Sequence, residues 1–372
     1  SAVVIAQNIM RHGTFIRGDT EHLTGIQRGP GYVASLAVAF LLFGEYQGVI
    51  YGLNFFLLLL TIFFFHRISQ QFLPGRWAIA PPLMLVLYWG IAAHVWVANY
   101  ELFVLAIALF AIWAWFAFER TNRIGWLAAS TLALGFWTLE KPIILYALPF
   151  VIILLWWRQR KQLTPRILMS ALFVFALINI SIIGLWSLRN HAALGTWQLG
   201  GGGHSILRRS TQIDYSFSHL INLALSFSLG DLIGSTLSPS YPADGKPAAW
   251  DPAVDQRWYQ KGWRITEPDG SIRSRADVDR AMYRQAKERI KENPIKFLAT
   301  APLGLLRLNA PLHYNGQELT HLFYGTHGGL PLWLKIGITI AIRGIWFIFL
   351  GIAFYGLFAK IFTRDTRWFL LV

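Results

Sequence analysis

The chain contains no cysteine. That excludes a disulfide framework, a thiolate metal site and a cysteine nucleophile, and it leaves the redox compartment undetermined. Charge is also scarce: 14% of the 372 residues are charged, against roughly 25% in an ordinary soluble domain. Hydrophobic residues make up 55%, with 17 Trp, 27 Phe and 13 Tyr. So few charges do not cover that much apolar and aromatic surface in water. A disordered chain, a soluble globular enzyme and a nucleic-acid module are therefore excluded. No GxGxxG, P-loop, HExxH or GxSxG motif is present, nor a signal peptide or a fixed-period repeat. What is present is apolar runs of membrane-crossing length, which predict an all-α polytopic membrane protein.

A helix needs about 20 apolar residues to cross a bilayer. Gln47–Phe65, Trp77–Ala98, Leu102–Phe118, Ile124–Leu139, Ile143–Trp157 and Ile167–Leu188 qualify, with a last span near Gly344–Ala359. The reading is thus a bundle of about seven transmembrane helices. Tyr32–Phe43 is apolar but too short to cross, and is read as lying in the interface or re-entering the membrane. One set of loops holds eleven basic residues, among them Arg67, Arg120, Arg160 and Lys360. The short loops on the opposite side hold only Lys141 and Arg189. The positive-inside rule makes the first set cytoplasmic, so the net charge of +14 is a topology signal. Four regions follow. Residues 1–46 form an extracytoplasmic loop with interfacial helices, 47–189 a helix bundle, 190–331 a long extracytoplasmic segment and 332–372 a C-terminal membrane region. Because the chain opens on Ser1 and closes on an apolar run, it is read as a piece of a longer protein.

In the long segment, Ser274 and Asp277 make a capping-box-like start for a charged helix with Val278, Met282 and Ile290 on one face. Asn293-Pro294 reads as the cap and first turn of another helix, Ile295–Leu308.

Glu101, Glu140, Lys141 and Arg189 sit at outer helix tips, and Arg28 just ahead of the interfacial helix. Tip charges often only anchor helices among headgroups. Glu101, however, has apolar neighbours on both sides, and desolvating it costs several kcal/mol unless it is paired or ligates a cation. Lys141 does not face Glu140, its neighbour in the chain, and reads as free to bind an anion. Arg189 and Arg28 suit one too, in the bidentate manner. Gly200–Gly203 with His204 is either a flexible loop or a backbone amide nest for phosphate.

Several short stretches resemble the GT-C membrane glycosyltransferases, in the branch of the protein O-mannosyltransferase-like enzymes and the lipid A aminoarabinose transferase. They are Ala6–Phe15; Arg28-Gly29-Pro30-Gly31-Tyr32 with Leu41–Gly44; Tyr100–Phe103; Thr138–Pro142; Trp186–Asn190 with Gly195-Thr196-Trp197; and Asn293–Leu298. The resemblance implies a polyprenyl-phosphate sugar donor, a lipid, glycan or protein hydroxyl acceptor, and inversion at the sugar carbon. It implies substrate binding by Arg28, Lys141, Arg189 and His204, with Glu101 as second acid or metal ligand. The family's principal Asp falls just before Ser1, so an Asp and one more span are expected upstream. A divalent metal ion is the only cofactor it admits, and Arg28 stands where some relatives carry a carboxylate. An inner membrane with an outward-facing site is implied, with membrane lipids as partners and no nucleic acid. An oligosaccharide transferase or polymerase of the same superfamily is the nearer alternative, a transporter the more distant one.

Overall fold

The computed structural model describes residues 2–15, 29–160 except 74, 88–90, 92 and 93, 163–200 except 195 and 196, parts of 206–225, 275–300 and scattered positions between 331 and 344. Among these residues the structure is helical, without strands. Contacts divide the chain into two units, Ser1–Gly202 with Pro268–Asp277, and Gly203–Glu267 with Val278–Val372.

In the first unit α1 is Ala2–His12 and α2 Pro30–Phe43. The bundle follows as α3 Gln47–Ser69, α4 Ala80–Leu87, α5 Glu101–Thr121, α6 Ile124–Glu140, α7 Leu148–Gln159 and α8 Pro165–Leu194. Three of these are long and apolar enough to cross a membrane: Gln47–Ser69, Glu101–Thr121 and, within α8, Pro165–Ala193. At about 1.5 Å per residue, α8 exceeds the roughly 30 Å hydrocarbon core. Its last turns, carrying Arg189, Asn190 and His191, therefore suit the polar layer.

Small residues draw the central helices together. Ala106, Ala111, Ala114 and Ala117 are buried along α5, and Ser130 Oγ of α6 donates to Ala111 O at 2.8 Å. Close backbone approach plus a cross-helix hydrogen bond is how helices associate in lipid, where burial alone drives nothing. The α6–α8 contact has a similar basis: a Cβ on Gly135 would lie 2.6 Å from Ile182. Other hydroxyls bond back to their own helix, as Thr61 Oγ1 does to Leu57 O and Thr138 Oγ1 to Leu134 O, each at 2.8 Å.

Two expected spans are broken in the structure. Among its described residues, Trp77–Ala98 shows a 3-10 turn that begins ahead of it, Gly75–Ile79, then α4, and near its end a second 3-10 turn, His94–Trp96. Its last part does not run as an α-helix because three of its carbonyls are held from outside. The Nδ2 of Asn54, a fully buried residue of α3, donates to His94 O and Val95 O at 3.2 Å each and to Val97 O at 2.8 Å. Tyr32 Oη donates to Asn54 Oδ1 at 3.1 Å. Ile143–Trp157 opens as a 3-10 turn, Pro142–Tyr146, before α7 begins at Leu148. Pro142 and Pro149 lack the amides a continuous helix needs there, and both sit where a helix start tolerates them. The span expected at Gly344–Ala359 lies outside the described residues.

In the second unit, α9 (Arg275–Glu292) buries Val278, Met282 and Ala286 against Ile206 and Leu207. Ile290, expected on that face, is only half-buried; the stripe is completed by Arg289, which is buried and donates to Asp214 at 2.5 Å. α10, Pro294–Ala299, starts at Asn293 as expected, but that side chain makes no capping bond. Its main-chain carbonyl accepts from Phe297 N at 3.1 Å instead. The remainder of the expected helix, from residue 301 on, and Ser274 lie outside the described residues.

Candidate functional site

Three stretches distant in sequence meet where α2 begins, α5 begins and α6 ends. The start of α2 has no cap of its own, since Gly29 has no side chain to offer. Glu140, the last residue of α6 and 7% exposed, supplies it. Its Oε1 accepts from Gly31 N at 2.5 Å and Tyr32 N at 3.1 Å. A carboxylate at a helix N-terminus satisfies orphan amides and complements the dipole. The closeness requires glycine on both sides of Pro30. A Cβ on Gly29 would lie 2.5 Å from Glu140 Cδ, and one on Gly31 2.5 Å from the Phe103 ring.

α5 begins at Glu101, and the amide of Tyr100 just before it is held by Asn99 Oδ1 at 2.9 Å. Lys141 caps the far end of α6, its N–H bonded to Trp137 O. Its ammonium lies 3.0 Å from Glu101 Oε1 and 3.3 Å from Tyr100 Oη, and 4.5 Å from the centroid of that ring. The acid thus sits at a helix N-terminus and the base at a C-terminus, so each also complements its own helix. Sequence adjacency had left Lys141 free; the fold instead pairs it with a residue 40 positions away. The side chains are 33% and 35% exposed, so the pair is partly screened and its net contribution is modest. Burial lowers the Lys141 pKa, but the Glu101 carboxylate and Tyr100 outweigh it and hold the value above the ordinary lysine range. Lys141 therefore stays a cation at every physiological pH. Of its three donors, two are placed here, and a third of its surface is open among the described residues.

The arrangement does not fit a divalent ion at Glu101. A metal there would face the Lys141 ammonium, which that carboxylate already holds at 3.0 Å.

Arg189 belongs to a different set of contacts. Its Nη1 donates to Asn190 Oδ1 at 2.9 Å and its Nη2 to Phe15 O at 3.1 Å. Its guanidinium lies 5.3 Å from the Phe15 ring centroid and 5.0 Å from that of Trp186. The neighbouring side chains bind the strand of chain that follows: Ser187 Oγ donates to Trp197 O at 2.5 Å, Asn190 Nδ2 to Gln198 O at 2.7 Å and Trp186 Nε1 to Leu199 O at 3.2 Å. The sequence Trp186–Asn190 with Trp197 is thus a clamp tying Phe15 and 197–199 to the end of α8. Arg28 and His204 lie outside the described residues; Arg28 directly precedes Gly29 in the chain.

Sequence reasoning missed the capping role of Glu140, the Tyr100 contact and the Asn54 latch. One signal was available for the first: a helix opening on Gly-Pro-Gly with no Ser, Thr, Asp or Asn must find its cap elsewhere. No family model, curated protein or solved structure matches this chain.

Proposed function

We propose that this chain is an integral-membrane glycosyltransferase. It moves a sugar from a polyprenyl-phosphate donor to an acceptor hydroxyl on the extracytoplasmic face of a bacterial inner membrane, within a bundle of about seven spans. One observation carries the reading: the stretches around Gly29–Tyr32, Tyr100–Phe103 and Thr138–Pro142, each resembling a motif of the same superfamily, come together around the Lys141–Glu101 pair. A cation beside a carboxylate at helix tips suits a lipid phosphate whose sugar must lie outside the hydrocarbon.

In this reading Lys141 contacts a phosphate oxygen and stabilises the charge that grows there as the donor bond breaks, worth several kcal/mol in a dry site. Glu101 holds Lys141 in place before the donor arrives and is the second acidic group of the site. The acceptor oxygen attacks the anomeric carbon, the carbon–oxygen bond to phosphate breaks, and the acceptor proton passes to a carboxylate. In the superfamily these motifs resemble, a principal Asp takes that proton. Single displacement inverts the sugar carbon. Arg189 holds the clamp around Phe15 and reaches the donor only through that arrangement, while Arg28, just before Gly29 in the chain, is the further cation proposed for the donor phosphate.

The test is full-length protein in nanodiscs with radiolabelled polyprenyl-phosphate sugars and lipid, glycan and protein acceptors. Sugar transfer is expected, with Lys141→Ala weakening donor binding and Glu101→Gln lowering turnover more than donor affinity. Absence of donor binding across common sugars, with substrate movement measured in liposomes, would replace this reading with a transporter.

A further inference from the structure

A pocket of about 320 Å³ lies among α1, the α2–α3 connection, the start of α3 and the irregular segment ending at Ala98. Its walls include Gln7, Glu45, Tyr46, Gln47, Tyr51 and Trp96. This volume falls near the lower end of the roughly 300–1,000 Å³ of small-molecule pockets. Tyr51 and Trp96 meet edge to face, 5.2 Å between centroids at 72°. Trp96 and Tyr46 are 64% and 61% exposed, a large aromatic surface for groups that border a cavity.

The polar groups narrow the ligand class. Glu45 is gripped by Arg11, whose Nη2 lies 2.7 Å from Oε2 and whose Nε donates to Oε1 at 3.3 Å; Gln7 Nε2 donates to Oε2 at 2.9 Å. Gln47 Nε2 donates to Tyr51 Oη. Both amides thus spend one N–H inside the protein, and a second N–H and the carbonyl oxygen of each remain to meet a ligand hydroxyl. The Arg11–Glu45 ion pair leaves this wall without net charge, so neither an anion nor an ammonium finds a free counter-ion here, and an ammonium would have only the ring faces. Val3, Phe40, Ile50 and Ala98 complete the wall, and this mixture of apolar surface with two amides and a carboxylate suits a ring with apolar faces and polar edges better than a bare hydrocarbon tail.

We infer that this pocket binds a neutral polyhydroxylated ring, a saccharide unit, with C–H faces against Trp96 and Tyr46 and hydroxyls donating to Gln7, Gln47 and Glu45. The inference stands on the pocket walls and does not depend on the transferase reading. The wall segment leads through Asn99 directly into Tyr100 and Glu101, so one stretch of chain serves both sites.

The experiment uses full-length protein in nanodiscs and photoreactive diazirine derivatives of methyl mannoside, glucoside, galactoside and N-acetylglucosaminide, with peptide mapping. Saturable labelling of 45–51 or 96–98 is expected for at least one probe, displaced by excess unmodified glycoside. Trp96→Ala should weaken it about tenfold or more, as loss of an aromatic anchor does. Trp96→Phe should retain most of it. Gln47→Ala, at an exposed position where unfolding is not expected, should weaken it without changing thermal stability. Labelling spread over the chain, unaffected by these variants, or displaced by choline or phospholipid but not by glycosides would overturn the inference. Pocket labelling in a protein without transferase activity would sink the proposed function and leave the pocket; transferase activity without labelling would do the reverse.

Discussion

Gly29→Ala isolates the junction between α2 and α6. At φ −68° and ψ 157°, an alanine backbone is unstrained, so the cost is steric. The new Cβ would lie 2.5 Å from Glu140 Cδ, 2.6 Å from its Cα and 2.7 Å from Oε1. Ordinary carbon contacts are about 3.5–4.0 Å, so α2 and the end of α6 must separate by roughly 1 Å. Such overpacking costs about 1–3 kcal/mol, and a weakened helix cap adds about 0.5–2 kcal/mol. At about 2–4 °C per kcal/mol for a domain of this size, thermal unfolding in detergent should fall by about 5–15 °C. Gly52→Ala and Gly125→Ala are the controls. Nothing lies within 4 Å of either new Cβ, and alanine in a helix should stabilise by about 0.5–1 kcal/mol. Double mutants sharpen the test. Phe103→Leu removes the ring atoms that Gly31→Ala meets at 2.5 and 2.6 Å, so that pair should be less destabilised than the sum of its parts. Glu140→Ala leaves the Cα that Gly29→Ala meets, so it should rescue Gly29→Ala far less. An unchanged Tm in Gly29→Ala, or full rescue by Glu140→Ala, would refute the close approach.

Asn54→Leu leaves three carbonyls of 94–97 without their donor and should cost about 2–4 kcal/mol; Thr61→Val, whose hydroxyl serves only its own helix, should shift Tm much less, and equal shifts would count against the latch. The Lys141–Glu101 pair should matter to stability up to about pH 10.5, the ordinary lysine value, because a raised folded-state pKa gives stability that is lost only as pH rises through it. The Tm difference between the native chain and Lys141→Met should therefore be flat from about pH 7 to 10 and shrink above about pH 11, whereas a difference that faded near neutrality would oppose the reading. In a chain without cysteine, Arg123→Cys and His12→Cys, both exposed, should show opposite accessibility to an impermeant thiol reagent in intact cells; equal labelling would overturn the proposed orientation.

The sequence by itself determined the solvent. Run length and low charge are local quantities, and α3, α5 and α8 form where apolar runs are long enough to cross a bilayer. It also marked Glu101 and Lys141, because a charge beside apolar spans is expensive wherever it sits. Tertiary structure decided the partners. Lys141 is paired to Glu101, Glu140 caps a helix that starts at Pro30, and Arg189 closes an aromatic clamp around Phe15 and Trp186. Each depends on helix ends far apart in the chain, and helix periodicity carries no record of which ends meet. The broken span at 77–98 has the same cause. Its apolar pattern reads as continuous, and only the buried amide of Asn54, reaching across from α3, makes a non-helical segment satisfiable there.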